Sequence, residues 1–413
     1  MSLARPALAY LVASLLSGAA TLALIPLLAR HLGPEGYGQI GVFLSVLALG
    51  NAWIGWNIQG WALRRVQSGG EALAGLSVLV LAAIALPAAL SALLLGACGQ
   101  ELAAYLGLPP WWLWLALLTC CAQAVLAYQA THWQAAERHR RNAVCSAAVV
   151  LAGVAATLVL IFVVGLGAEG RCLALALATA GAAALLSPSL FARGWGRPSW
   201  PAARAALLYG APLVLHVCAS WALLLADRTL VAAWLGSSEA GRYFAAAQLA
   251  SVLTLGSDAI NRAWVPWVYR RLQSARDEDR RAIVQRGRGL LALYAATAAA
   301  LALLGQPLCA WILGPAYQGC GDLLAVLALA YAADAAYKVW VATLFFHERT
   351  AWVFAITGSA GAVALLAIGL AVPLAGALGA ACGVALGTLL SALLAYLAAQ
   401  RVHPLPWWRS AAR

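Results

Sequence analysis

Acidic and basic side chains recur one helical turn apart in two otherwise apolar stretches. Asp258 and Arg262 continue a polar stripe begun by Gln248, Ser251 and Thr254. Asp334 and Lys338 repeat the acid–base spacing, with Tyr331 on the same face. Residues three and four apart lie together on a helix surface, so each acid is placed to neutralise its base. Two kinds of chemistry follow. Arg262 and Lys338 can hold an anion. Asp258 and Asp334 can take up a proton or sodium when the base is drawn away, because losing a nearby positive charge raises a carboxylate's pKa. The plainer alternative is two neutralised pairs that hold helices in register.

Other groups carry weaker signals. His216, Ser220 and Asp227 fall on one face if their helix is continuous, which suits a proton path; a lone histidine is more often a packed side chain. Asp227 and Arg228 also read as an ion pair at a helix end. Asn51, Gly55 and Gln59 share a face with Trp53, Trp56, Asn57 and Trp61 nearby. Amides and aromatic planes suit a hydroxyl-rich ligand, and an interfacial tryptophan belt is the alternative. Arg30, Arg64 and Arg65 are placed for phosphate contacts or for setting topology. Ser14, Ser17 and Thr21 read as helix-packing residues, and so do Gly379, Gly383 and Gly387, which form overlapping GxxxG motifs. Asp277-Glu278-Asp279 has the DxD form of metal-dependent sugar transferases but lies in a short arginine-rich connection, where a solvated charge run is expected. The cysteines show no metal-ligand spacing, and neither metal nor cofactor is expected.

The elements that must position these residues follow from composition. With 64% hydrophobic and 10% charged residues among 413, an ordinary soluble globule is excluded. A span needs roughly 20 apolar residues, and the chain divides into about twelve such runs: 8–29, 38–61, 73–97, 111–132, 143–167, 172–192, 205–226, 243–264, 289–313, 322–345, 351–373 and 378–400. The first has no cleavage-site pattern and reads as a retained helix. Lys338 is the single lysine, and the arginines gather on alternate connections, eight of them between Arg262 and Arg288. The positive-inside rule then places both termini in the cytoplasm. That rule accounts for the net charge of +12 without nucleic acid. LGPEGYG at Leu32–Gly38 has a counterpart in LGSSEAG at Leu235–Gly241. The expectation is therefore an all-α polytopic membrane protein with two six-helix lobes, 1–204 and 205–413, and a substrate path between them.

Four stretches also resemble landmarks of one family, in order. These are LARHLGPEGYGQIGVFLS (Leu28–Ser45), Asp227-Arg228 with the following LVAAWLGSSEAGRYFAAAQLAS, NRAWVPWVYRRL (Asn261–Leu272) and ILGPAYQGCGDLLAVLALAY (Ile312–Tyr331). The chain resembles the polysaccharide transport branch of the multidrug, oligosaccharidyl-lipid and polysaccharide exporter superfamily. The resemblance implies a MATE-like fold in a bacterial cytoplasmic membrane. It also implies a flippase for polyprenyl-pyrophosphate-linked oligosaccharides of O-antigen, capsule or exopolysaccharide, working by alternating access. Arg262, Lys338, Arg30, Arg228, Asn51, Trp56, Asn57, Gln59 and Tyr331 are then the candidates to hold substrate. Asp258, Asp334, Asp227 and His216 are the candidates to carry a coupling proton or sodium. Partners would be the lipid-linked substrate, membrane lipid and polysaccharide-assembly proteins. A multidrug-type cation antiporter of the same superfamily is the first alternative. A membrane polysaccharide-synthesis enzyme is the second, disfavoured by the lack of a long outer loop or a nucleotide-sugar fold.

Overall fold

The computed structural model describes residues 4–67, 73–191, 199–274 and 276–407, and among these nearly every residue is helical and none forms a strand. An apolar chain in lipid must satisfy its own backbone hydrogen bonds, and helices do so locally. The chain divides into two compact units, Met1–Cys218 and Ala219–Arg413. The first contains α1 (Ala4–Trp53), α2 (Gln59–Gln67), α3 (Leu73–Leu106), α4 (Pro110–Ala135), α5 (His139–Leu158) and α6 (Gly167–Phe191). α7 (Trp200–Leu224) leads from one unit to the next. The second holds α8 (Ala226–Leu235), α9 (Ser237–Ala250), α10 (Val252–Leu272) and α11 (Asp277–Leu303). It continues with α12 (Gly305–Leu313), α13 (Cys320–Phe346) and α14 (Thr350–Val402). Among the described residues seven helices are long and apolar enough to cross a membrane, and α11 with α12 adds a pair bent by 67°. The protein is a multi-pass membrane protein.

Two of the expected boundaries between runs fall within long helices: α1 and α14 are each broken midway by a glycine with positive φ, Gly33 at 66° between runs 8–29 and 38–61 and Gly376 at 56° between runs 351–373 and 378–400. In α14 the chain then doubles back. A Cβ on Gly379 would lie 2.2 Å from the carbonyl oxygen of Ala371, and one on Gly383 would lie 2.8 Å from the amide nitrogen of Ile368. One on Gly387 would lie 2.9 Å from the carbonyl oxygen of Ala360. The GxxxG face is thus the seam of a helical hairpin, where only glycine lets the two backbones approach. The Leu-Gly repeat has a shared conformation as well: Gly33 (φ 66°, ψ −179°) and Gly236 (φ 87°, ψ 167°) both turn the chain through a region open essentially to glycine alone.

Two breaks change the sequence reading of the site. The run 38–61 is not one helix: α1 ends at Trp53, residues 54–58 unwind, and α2 starts at Gln59. φ is positive at Gly55, Trp56 and Asn57. The released Gly55 amide donates to the Ala83 carbonyl at 3.0 Å. That carbonyl is free because its intrahelical partner would be residue 87, which is Pro87 and has no N–H. The seventh run breaks at Leu225 (φ −137°, ψ −20°), so His216 lies on α7 and Asp227 on α8. The face that His216, Ser220 and Asp227 were expected to share does not exist as one helix.

Candidate functional site

In the second unit, α10 and α13 carry the charged residues, and their register is set by Trp264, whose indole N–H donates to the Val339 carbonyl at 3.2 Å. This places Lys338 over α10. Its ammonium lies 2.6 Å from Asp258 Oδ1, 3.0 Å from Ser257 Oγ and 3.0 Å from Asp334 Oδ2. The Asp334–Lys338 pair is therefore formed one turn apart along α13, as its spacing predicts. The Asp258–Arg262 pair is not. Arg262 is exposed, and its Nε faces the backbone carbonyl of Asp258 at 3.4 Å, while the carboxylate turns to Lys338. An ammonium on a four-carbon stem can reach a neighbouring helix, and the less solvated Lys338 offers Asp258 a stronger field than an exposed guanidinium. The cluster is graded in exposure: the Asp334 side chain is 11% exposed, that of Lys338 17% and that of Asp258 47%. Two carboxylates share one base, so the cluster carries a formal charge of −1 when all three ionise.

One turn along α13 from Asp334, Tyr331 joins a second network. Arg228 donates to its hydroxyl at 2.8 Å, and the guanidinium lies 5.5 Å from the centre of the Phe244 ring. Asp227 is 1% exposed; it accepts from the Tyr243 hydroxyl at 2.6 Å and from the Arg228 amide at 2.8 Å. Arg228 Nε also lies 3.9 Å from Asp227 Oδ1, so the ion pair expected at a helix end is present in the first turn of α8, but it is buried rather than solvated, with neutral donors added for the carboxylate. Tyr331, Asp334 and Lys338 share one face of α13, so the two networks form a continuous polar seam inside the second unit. Asp277-Glu278-Asp279 begins α11, where carboxylates offset the helix dipole, and Asp279 pairs with Arg271 at 3.3 Å.

The first unit places the amide and aromatic candidates differently from expectation. Asn51, Gly55 and Gln59 do not line one helical face, because the helix unwinds between them. Asn51 donates to Gln123 Oε1 at 2.6 Å, Asn57 to the Ala52 carbonyl at 3.0 Å, and Trp56 to the Leu207 carbonyl at 3.1 Å. A Cβ on Gly210 would lie 2.2 Å from the Trp56 carbonyl oxygen, so α7 closes directly on the unwound segment. Gln59 is half-buried at the start of α2, Arg30 is exposed on α1 shortly before Gly33, and His216 is half-buried on α7. Ser14, Ser17, Arg64, Arg193, Arg197 and Trp195 lie outside the described side chains.

Sequence reasoning passed over a cavity of about 360 Å³ in the first unit. Its polar lining includes Gln123, Gln129, Asn142, Arg171 and Thr179. These come from α4, α5 and α6, one or two to a helix, so no helix shows a polar stripe. The available signal was the isolated polar residue within an apolar span, which is costly in lipid and usually faces a partner or a cavity.

Residues 3–271 match the family described as polysaccharide biosynthesis protein. Among solved structures, the chain is similar to the lipid II flippase MurJ in its inward closed conformation. The TM-score is 0.75 at 12% identity, over 94% of this chain and 87% of that one. It is also similar to the inward-facing conformation of a multidrug resistance MATE family transporter of the MOP superfamily. Here the TM-score is 0.70 at 15% identity, over 95% and 96% of the two chains. The Vibrio cholerae MATE transporter VcmN in its bent form gives a TM-score of 0.55 at 19% identity, over 96% and 94%. The MATE-like helical fold expected from the sequence is thus shared. No curated protein matches the chain by sequence.

Proposed function

The chain belongs to the polysaccharide biosynthesis protein family, and from that membership we propose that it is a flippase. It carries a polyprenyl-pyrophosphate-linked oligosaccharide outward across a bacterial cytoplasmic membrane by alternating access, through twelve spans with both termini inside. Physics calls for such a protein, because each bare hydroxyl of a sugar headgroup costs roughly 2–7 kcal/mol to bring into hydrocarbon. The observation that carries the reading is Lys338, a half-buried base held by Asp258 and Asp334 rather than by one partner.

A pyrophosphate competes with those carboxylates for Lys338, with Arg228, Arg262 and Arg30 as further basic contacts. When the ammonium moves to the anion, two carboxylates are left without their counter-charge, and one takes up a proton or sodium. Substrate and ion would then be coupled through one side chain. No GxxxxGK[ST] phosphate loop occurs in the sequence, so direction must come from an ion gradient or from consumption of the product outside.

The test is reconstituted transport of a lipid-linked oligosaccharide with an imposed proton or sodium gradient. Lys338→Gln should abolish transport while the protein stays in the membrane. Asp258→Asn with Asp334→Asn should remove the gradient's effect. Transport by the Lys338→Gln, Arg262→Gln double variant would overturn the role of the bases. The multidrug cation antiporter is a second reading, favoured by the −1 charge of the cluster. It requires efflux of a lipophilic cation that depends on the same two aspartates, with no transport of lipid-linked sugar.

A further inference from the structure

Two thiols of the second unit meet where α12 crosses the start of α13. α12 leaves α11 at a bend of 67°. Its first residues then press on the first turn of α13. A Cβ on Gly305 would lie 3.0 Å from the carbonyl oxygen of Gly321, and one on Gly321 would lie 2.7 Å from the amide nitrogen of Gln306. Cys309 stands one helical turn along α12 from Gly305, and Cys320 stands beside Gly321. The two thiols hydrogen-bond to each other, and Cys320 also donates to the Arg242 carbonyl at 3.4 Å. Both cysteines are buried and both are free thiols in this structure. A disulfide requires close backbones and side chains that converge. The glycine contacts supply the first condition and the thiol hydrogen bond supplies the second.

The compartment decides whether such a pair stays reduced. Eight arginines stand between Arg262 and Arg288, around the start of α11, whereas no lysine, arginine or histidine occurs between Arg288 and Lys338. With the start of α11 in the cytoplasm, the connection from α12 to α13 lies on the opposite side. Trp311, two residues from Cys309, is exposed as an interfacial aromatic is. In a bacterial cytoplasmic membrane that opposite side is the periplasm, where thiols are oxidised and disulfides persist.

We propose that Cys309 and Cys320 are a modification site, joined in the periplasm as a disulfide that pins α12 to the start of α13 and fixes the bend between α11 and α12. The inference goes beyond the flippase reading and rests only on the topology given with it, both termini inside. One thiolate attacks a sulfur of an acceptor disulfide, carried by a periplasmic thiol-disulfide exchange protein, and expels one acceptor thiolate. The second cysteine thiolate then attacks its neighbour's sulfur in the mixed disulfide, the protein S–S bond forms, and the second acceptor thiolate leaves. The cysteine pair gives up two electrons and two protons, and the acceptor disulfide receives them as a dithiol. Burial lets an oxidant reach the sulfurs only before α12 packs down, so the bond is made during assembly and is shielded from reductants afterwards.

The test is differential alkylation of the full-length protein produced in a bacterium. Membranes are denatured with excess N-ethylmaleimide to block free thiols, then reduced and treated with iodoacetamide, and each cysteine is followed by peptide mass spectrometry. Cys309 and Cys320 should carry the iodoacetamide product in more than about nine molecules in ten, as an unstrained disulfide in an oxidising compartment does. The exposed Cys98 and Cys382 should carry maleimide. In Cys309→Ser, Cys320 should carry maleimide as well. Its continued protection there, or equal protection of all the cysteines, overturns the pairing. Closing the loop between the two positions should raise the midpoint of thermal unfolding by about 5–10 °C. Cys309→Ser and Cys320→Ser should each lose that amount and the double variant no more; losses that add overturn the bond. Topology is measured separately by Gln318→Cys in the double serine variant, at an exposed position, with a membrane-impermeant maleimide on intact cells. Free thiols at 309 and 320 together with labelling from outside overturn the disulfide and leave the topology standing. Labelling only after the membrane is opened, with the disulfide present, does the reverse.

Discussion

Replacing Lys338 by Met removes the one positive charge between Asp258 and Asp334 and nearly preserves volume. The Asp334 side chain is only 11% exposed, so its carboxylate is left in a poorly solvated place with a like charge nearby. Removing one partner of a buried pair typically costs 3–5 kcal/mol. Asp258 is 47% exposed and keeps much of its hydration, and Asp334 can escape by taking a proton. Both discount the cost to about 2–3 kcal/mol near neutral pH. The lost bond to Ser257 Oγ adds little, because the hydroxyl gives up only an accepted bond and keeps its donation to the Thr254 carbonyl at 3.0 Å. In detergent or nanodiscs the midpoint of thermal unfolding should fall by about 5–10 °C, on a scale of 2–4 °C per kcal/mol. Adding Asp258→Asn and Asp334→Asn to Lys338→Met removes the stranded charges, and the triple variant should recover most of that loss while remaining inactive in transport. The measurement is size-exclusion thermostability beside transport on the same preparations. If Lys338→Met is as stable as the parent, or the triple variant is no more stable than the single one, the three side chains do not form the coupled cluster argued above.

Three further outcomes follow from other parts of the molecule. Pro87→Ala restores an N–H that competes for the Ala83 carbonyl and strips the buried Gly55 amide of its partner. A loss of about 1–3 kcal/mol is expected, with faster hydrogen exchange at residues 54–58; unchanged protection of the Gly55 amide would refute the link. Gly383→Val drives a side chain into Ile368, whose Cγ1 lies 2.6 Å from the new Cβ, and should destabilise by about 1–3 kcal/mol or more. Gly369→Ala, with open space around it, should be neutral or stabilise by up to about 1 kcal/mol, which thermal unfolding of both variants decides. Burial, the ring of His347 stacked 5.5 Å away and the Arg280 guanidinium hold the His403 imidazole below its ordinary range. Such a group is neutral when folded, so its contribution is complete above about pH 6.5 and is lost as pH falls through its lowered value. Segment 403–407, held by Arg280 on the Pro404 carbonyl and by Arg288 on the Trp407 carbonyl, should therefore exchange faster on acidification. His403→Phe should flatten that dependence in hydrogen exchange followed against pH.

Sequence alone determined the class of this protein, because composition and the length of apolar runs are sums along the chain and need no packing information. It also determined the Asp334–Lys338 pair and the glycine seam of α14, since both rest on positions three or four apart on one helix, and a helix's geometry is the same wherever it sits. The partner of Asp258 was decided elsewhere. Whether it faces Arg262 or Lys338 depends on how α10 is rotated against α13, and that rotation is set by contacts such as Trp264 on Val339, with the partners 75 residues apart. The break at 54–58 was hidden for the same reason. Periodicity extends a helix until something stops it, and here the competing partner is the Ala83 carbonyl on another helix, freed by Pro87. His216 and Asp227 were likewise joined by counting residues across Leu225, where the backbone leaves the helix. The cavity of the first unit is the extreme case. Each of its polar residues stands nearly alone on an apolar helix, and only the packing of α4, α5 and α6 brings Gln123, Gln129, Asn142, Arg171 and Thr179 around one space.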